Sequence, residues 1–247
     1  MDINSTIFRA YDIRGIAYKE INEEIGFKLG KCLGSLALER KEESLIVARD
    51  GRISSPEVYN WLSEGIKSTG CNVLNIGIVP TPLLYFSTFK LVSSSGVMIT
   101  GSHNPPEYNG FKIVTNRRTI SGKEIQEIKS KILENNFVSG QGEEEKVEVV
   151  EMYMKELKNN INVQRPVKLA IDCGNGAASV LAKKVYENLG CKVKAIYSNL
   201  DGNFPNHHPD PSKPENLSDL IKIVVEKELE IGLSFDGDAD RLGIISS

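Results

Sequence analysis

Two short segments of this 247-residue chain, Gly70-Cys71-Asn72-Val73-Leu74-Asn75-Ile76 and Gly190-Cys191-Lys192-Val193-Lys194-Ala195-Ile196, resemble each other, and each closes a strand, helix, strand unit. In the first unit Leu45-Ile46-Val47-Ala48 reads as a buried strand. Val58, Leu62 and Ile66 then follow at helical spacing, behind Pro56 and a cap expected at Ser54 or Ser55. In the second unit Val167 to Asp172 reads as a strand and Ala177 to Leu189 as a helix. Strands joined through a helix run parallel, and their apolar runs have to be covered on both sides. The expected fold is therefore α/β, with two similar mixed, mostly parallel sheets and helices on both faces; residues 1–158 form one domain and residues 159–247 the other. Helices are also expected over Glu24 to Leu38, Leu83 to Phe89 and Leu217 to Glu230, and one over Val149 to Leu157 that passes between the domains. Gly- and Glu-rich Ser139 to Lys146 is expected to be a turn or loop.

Composition removes several classes of function. A net charge of −3 leaves no basic field for a nucleic-acid backbone or an anionic lipid surface. The N-terminus lacks a basic stretch followed by an apolar run, and no apolar stretch is long enough to span a bilayer, so a cytoplasmic location is expected. The cysteines Cys32, Cys71, Cys173 and Cys191 have no C-x-x-C spacing and read as buried free thiols.

Chemistry concentrates in two loops, each at the C-terminal end of an apolar strand, the edge where open α/β sheets bind ligands. After Ile231-Gly232-Leu233-Ser234-Phe235 comes Asp236-Gly237-Asp238-Ala239-Asp240-Arg241. An extended strand would hold alternate carboxylates about 7 Å apart, but a curved loop lets them converge, and small Gly237 and Ala239 leave room for an ion. A carboxylate set without histidine or cysteine favours Mg²⁺ over zinc, and the missing downstream Gly and Glu exclude an EF-hand. The other loop follows Gly96-Val97-Met98-Ile99-Thr100 and runs Gly101-Ser102-His103-Asn104-Pro105-Pro106. Serine in such a turn is ordinarily a cap, but His103, Asn104, Asn109 and Lys112 surround its hydroxyl with donors and acid or base groups. No G-x-S-x-G elbow is present, which argues against a hydrolase triad. Near the N-terminus, Phe8-Arg9-Ala10-Tyr11-Asp12-Ile13-Arg14-Gly15 is too polar for a strand interior, and Arg14 is a candidate phosphate clamp. Gly174-Asn175-Gly176 reads as a helix-packing turn, and His207 and His208, without nearby cysteine, are candidates for lining a polar cleft rather than for holding a metal.

Taken in order, Tyr11 to Gly15, Thr100 to Pro105 with Tyr108 to Lys112, and Asp236 to Arg241 closely resemble the phosphomannomutase/phosphoglucomutase branch of the α-D-phosphohexomutase family. The resemblance covers essentially the whole chain, and its Phe8 to Asp12 and Asn109 to Lys112 look like the mannose/glucose rather than the glucosamine branch. It implies an isomerase that exchanges hexose 6-phosphate and hexose 1-phosphate through a phosphoserine and a bound glucose or mannose 1,6-bisphosphate. On that basis Ser102 is the phosphoserine and a Mg²⁺ ligand through its phosphate, with Asp236, Asp238 and Asp240 as the other ligands. Arg14 and Arg241 hold the phosphoserine region, Lys112 is the general acid/base with His103 beside it, and Arg9, Tyr11, Asn104 and Asn109 line the phosphate cleft.

Members of that family are much longer, and their C-terminal domains carry the sugar-recognition and distal phosphate loops. The chain is thus expected to hold the phosphoserine and metal machinery, to partner phosphorylated hexoses and those missing domains, and to turn over little by itself. Two rivals stand beside this reading. One is a non-catalytic Mg²⁺ or phosphosugar-binding module; the other is a haloacid-type phosphatase with its adduct on Asp236 or Asp238, disfavoured because that element would follow an early strand.

Overall fold

The structure, a computed structural model, describes residues 4–246, so the outermost residues of both expected domains, 1–3 and 247, lie outside the described residues. The first half contains β1 (Ile13–Ile16), α1 (Glu23–Glu39), β2 (Ser44–Arg49), α2 (Ser55–Lys67), β3 (Asn72–Ile78), α3 (Thr81–Lys90), β4 (Gly96–Ile99), β5 (Tyr108–Thr115), β6 (Arg118–Thr119), α4 (Lys123–Glu134), β7 (Glu144–Lys146) and α5 (Val150–Asn160). The second contains β8 (Lys168–Asp172), α6 (Ala182–Asn188), β9 (Lys192–Ile196), α7 (Ser218–Glu226), β10 (Ile231–Phe235) and β11 (Leu242–Ser246).

Both sheets are mixed and largely parallel, flanked by helices as expected. The first has the order β1-β5-β4-β2-β3-β7, with β6 hanging from β5; the second has the order β11-β10-β8-β9. In the first, β2 is parallel to β3 and β4, while β5 returns antiparallel to β4. In the second, β8 is parallel to β9 and β10, while β11 returns antiparallel to β10. The four strands β5-β4-β2-β3 and β11-β10-β8-β9 thus share order and direction, as a duplicated unit would.

Strand alternation distributes each core over two faces. Leu45 and Val47 of β2 face α1, α2 and α4 through Leu29, Leu62 and Ile128, whereas Ile46 and Ala48 face α3 and α5 through Leu84 and Met154. In the second sheet Leu169 and Ile171 pack with Ala182, and Ala170 packs with Leu220 and Val224. Each fully buried Leu or Ile contributes about 1.5–3 kcal/mol relative to exposure. Leu181 lies in the same apolar cluster as Ile46 and Met154, so side chains from both halves share one core. All four cysteines are free thiols, and among the described residues no helix is long and apolar enough to cross a membrane.

Several local expectations are corrected. Ile13–Ile16 is a strand despite its polar surroundings, because Arg14 pairs with Gly110 of β5 while its side chain turns into the molecule. Glu144–Lys146 forms a parallel edge beside β3 instead of a loop; an exposed edge tolerates three charged residues. The segment Ala177 to Leu189 splits into a 3₁₀ turn at Ala177–Val180 and α6, and α7 ends at Glu226. Ser54 stands at the N-cap of α2, as expected, but its hydroxyl makes no capping bond to the helix. The Ser55 hydroxyl donates to Asp50 (2.6 Å), and both serine oxygens accept from Asn109.

Candidate active site

The serine loop joins β4 to β5, and the acidic loop joins β10 to β11, so each occupies the same place in its four-strand unit. The two loops meet. The Ser102 hydroxyl donates to Asp236 Oδ2 at 2.8 Å, and a Cβ on Gly237 would collide with the Ser102 carbonyl oxygen. Thr81, at the start of α3, donates from its hydroxyl to Asp238 Oδ2 (2.6 Å) and from its amide to the Asp238 carbonyl (2.8 Å). Lys112 reaches from β5 to the same Asp238 oxygen at 2.6 Å and also bonds Asp240.

Asp236 shapes its own loop, accepting at Oδ1 from the amides of Asp240 and Arg241, both at 3.1 Å. The resulting curve brings one oxygen each of Asp236, Asp238 and Asp240 within 4.8 Å of one another, the only such acidic group among the described residues. Burial raises the Asp236 carboxyl, and repulsion from Asp238 and Asp240 pushes it further, to about 8. Burial and Asp238 likewise raise Asp240. Burial also works against charge on Asp238, but Lys112 and Thr81 outweigh it and hold that group below the usual carboxylate range. Burial disfavours the Lys112 ammonium, yet Asp238 and Asp240 together raise it above an ordinary lysine. Three carboxyls thus crowd around one lysine, and their mutual repulsion disfavours charge on two of them as long as no further cation joins the site. Asp238 Oδ1 is buried without a hydrogen-bond partner, and a hard divalent cation is what an all-carboxylate set with a spare lone pair would take. These residues fit Mg²⁺.

Around Ser102 the cationic side chains form a rim. A cleft of about 450 Å³ is lined by Arg9, Tyr11, Arg14, Tyr85, Ser102, His103, Lys112, Thr119, Asp240 and Arg241. His103 Nδ1 lies 3.4 Å from Ser102 Oγ; burial, with Arg241 and Arg14 nearby, holds its imidazole below the ordinary value and so favours the neutral ring. Arg14 is buried, paired with Asp12, and donates to Asn104 Oδ1 at 2.6 Å. Asn104 thus meets the cleft only through Arg14, while Arg9 and Tyr11 stand on its exposed rim.

One expected lining residue is displaced. Asn109 is fully buried behind the loop, its amide donating to Ser54 and Ser55, so it does not line the cleft; three residues from Lys112 on β5, it projects from the opposite face of the sheet. His207 does not face this cleft either: its Nε2 lies 2.9 Å from buried Asp172 Oδ2. Tyr85, Thr119 and Thr81 were not legible as site residues, since nothing local distinguishes them from core or cap positions. Arg52, in the polar segment Arg49-Asp50-Gly51-Arg52 that follows the strand Leu45 to Ala48, carries no local mark of a role, yet it is 1% exposed and lies directly beneath the serine loop.

Residues 5–139 match the family described as phosphoglucomutase/phosphomannomutase, alpha/beta/alpha domain I, and residues 151–247 match domain II of the same family. A phosphomannomutase/phosphoglucomutase of Pseudomonas aeruginosa is 46% identical over 243 residues, which is 98% of this chain and 52% of that protein. A phosphoglucomutase of Neisseria meningitidis is 46% identical over 242 residues, 97% of this chain and 53% of that one. The crystal structure of a phosphoglucomutase/phosphomannomutase family protein from Burkholderia thailandensis superposes with a TM-score of 0.95 at 40% identity, covering 99% of this chain and 55% of the other. The chain spans about half the length of the curated relatives it matches. With both halves matched in order and the fold shared throughout, this chain belongs to the phosphoglucomutase/phosphomannomutase branch of the α-D-phosphohexomutases.

Proposed function

We propose that this chain carries the phosphoryl-transfer centre of a phosphohexomutase acting on mannose or glucose phosphates, with Ser102 as the phosphate carrier. The observation that carries the reading is the 2.8 Å contact between the Ser102 hydroxyl and Asp236, which joins a nucleophile from one half to an acidic cluster from the other. Supporting it, the relatives at 46% identity are named for exchange of this kind, and cationic Arg14, Arg241 and Lys112 share one cleft with Ser102.

In the forward half-reaction the bond between Ser102 Oγ and phosphorus breaks as a sugar hydroxyl oxygen bonds to phosphorus. The hydroxyl proton passes to the neutral ring of His103 and the serine oxygen, leaving as a hydroxyl, recovers a proton from the Lys112 ammonium; Lys112 takes the base role instead once it is released from Asp238 and Asp240 and has lost its proton. The bisphosphate so formed reorients and returns its other phosphate to Ser102. Arg14 and Arg241 orient the transferring group, with Arg9, Tyr11 and Arg14-bound Asn104 around it. Mg²⁺ held by Asp236, Asp238 and Asp240 would offset the negative charge on the transferring oxygens. Because Lys112 is paired with Asp238 and Asp240 here, it competes with a cation for those oxygens. We place the domain boundary near residue 159, so that the carrier and the acidic cluster sit on opposite domains.

Incubation with glucose 1,6-bisphosphate and Mg²⁺, followed by intact-protein mass spectrometry, tests the reading: a gain of about 80 Da mapping to Ser102 is expected. An adduct on Asp236 or Asp238 would instead favour the aspartyl-phosphatase chemistry, and no adduct with Mg²⁺ bound would favour a binding module. A coupled assay on the purified chain is expected to show little complete mutase turnover, and turnover at the rate of the longer relatives would remove that part of the proposal.

A further inference from the structure

Arg52 has all five of its N–H groups engaged, none of them by solvent or by a substrate group. Nε donates to Asp50 Oδ2 at 3.1 Å. Nη1 donates to the carbonyls of Pro105 (2.5 Å) and Tyr108 (3.1 Å), and Nη2 to those of Ser102 and Asn104, both at 2.7 Å. Asp50 completes the frame by accepting from the Gly101 amide at 3.2 Å, the Arg52 amide at 3.1 Å and the Ser55 hydroxyl at 2.6 Å.

The sequence of the serine loop explains why it needs this partner. Pro105 and Pro106 have no amide hydrogen, so a loop built on them is short of donors while keeping every carbonyl. Ser102 adopts φ +51°, the left-handed region, which costs a side-chain-bearing residue about 1–2 kcal/mol unless its surroundings hold it there. A buried guanidinium is itself expensive to desolvate and is tolerated only when fully paired. Here that pairing is with the loop itself. The fit is close enough that a Cβ on Gly101 would collide with the guanidinium.

The exposed side of this arrangement is covered from the other half. The Arg52 guanidinium carbon lies 5.1 Å from the centroid of the Phe204 ring, and Leu200 packs against Gly51. Phe204 is 8% exposed and itself holds φ +52°. We infer that Arg52 is the positioning residue of the serine loop and that Phe204 seals it, so that docking of the second half is coupled to presentation of the Ser102 hydroxyl. Its consequence for transfer rests on Ser102 being the phosphate carrier; its consequence for the loop's order does not.

Lysine separates this role from a simple need for buried charge, because it keeps the charge but offers three donors and no planar fork. In the 247-residue chain, Arg52→Lys and Phe204→Ala are compared with the unaltered protein by amide hydrogen exchange and by the rate of Ser102 loading from glucose 1,6-bisphosphate. Arg52→Lys is expected to accelerate exchange at Gly101 to Tyr108 while Leu45 to Ala48 stays protected. It should slow loading by about tenfold to a hundredfold, with the half-saturating donor concentration unchanged because Arg52 touches no substrate group. Phe204→Ala should shift both readouts in the same direction by less. Wild-type exchange and rate in Arg52→Lys would overturn the positioning role, and unchanged loop exchange in Phe204→Ala would overturn the coupling. Should Arg52→Lys fail to fold, Phe204→Ala, which leaves all five guanidinium bonds in place, decides by the same two readouts. If the unaltered chain takes up no phosphate, the carrier reading falls, and the exchange comparison alone decides the role of Arg52.

Discussion

The β4–β5 loop and the β10–β11 loop hold matching positions in two four-strand units of the same order, yet they are stabilised in opposite ways. The serine loop presents carbonyl oxygens inward and is held from beneath by one buried cation, Arg52. The acidic loop presents amides inward and is held by its own carboxylate, Asp236, which accepts from Asp240 and Arg241. One solution leaves a neutral hydroxyl where the loops meet; the other concentrates three carboxylates there, two of them fully buried. A repeated scaffold thus supplies two equivalent platforms, and the charge of the supporting group settles what each can display.

That contrast can be broken outright at the serine. Ser102→Ala should abolish phosphate loading while leaving Mg²⁺ affinity by calorimetry near that of the unaltered chain; labelling at another residue would end the carrier role of this loop. The acidic side is tested next. Asp238→Asn removes charge from the one cluster member that is fully buried and has a spare oxygen, and Mg²⁺ affinity should fall by at least about tenfold. Equal affinity in the two proteins would show that the carboxylates are not a cation site.

Where the loops touch, the expected effects are on stability. Gly237→Ala places a methyl group against the Ser102 carbonyl and should cost about 1–3 kcal/mol in urea unfolding. A cost near zero would mean that the loops separate readily in solution. The smallest effect is expected at His207. Burial pulls its imidazolium down, but the bonds to Asp172 and to the His208 carbonyl more than restore it, so its folded value lies above the ordinary one. The stabilisation is therefore complete below the unfolded value of about 6.5 and is lost as pH rises through the higher folded value. The gap in melting temperature between the unaltered protein and His207→Asn should narrow between about pH 6 and pH 8. A gap that widens over that range would reverse the assignment.

Much of this was legible because local sequence and tertiary need agreed. Buried strands such as Leu45 to Ala48, the stripe of Val58, Leu62 and Ile66, and the alternating aspartates behave as their spacing suggests. Other elements were hidden by conflicting local signals. The Asn109-Gly110 pair reads as a turn, yet it lies within β5 because that strand is clamped between β1 and β4. Helix α4 did carry a readable stripe in Ile125, Ile128 and Ile132. Arg52 gave no such signal, since a single arginine in a polar loop is ordinarily solvated.

Chain order alone determined that two apolar strands would each end in a functional loop, because strand burial and turn chemistry are properties of contiguous residues. Only the tertiary structure decided that the hydroxyl and the carboxylates would touch, that Asn109 would turn inward, and that Arg52 would lie beneath the serine. Those outcomes depend on how two sheets pack, and a hydrogen bond between residues 134 positions apart leaves no periodic trace in either segment.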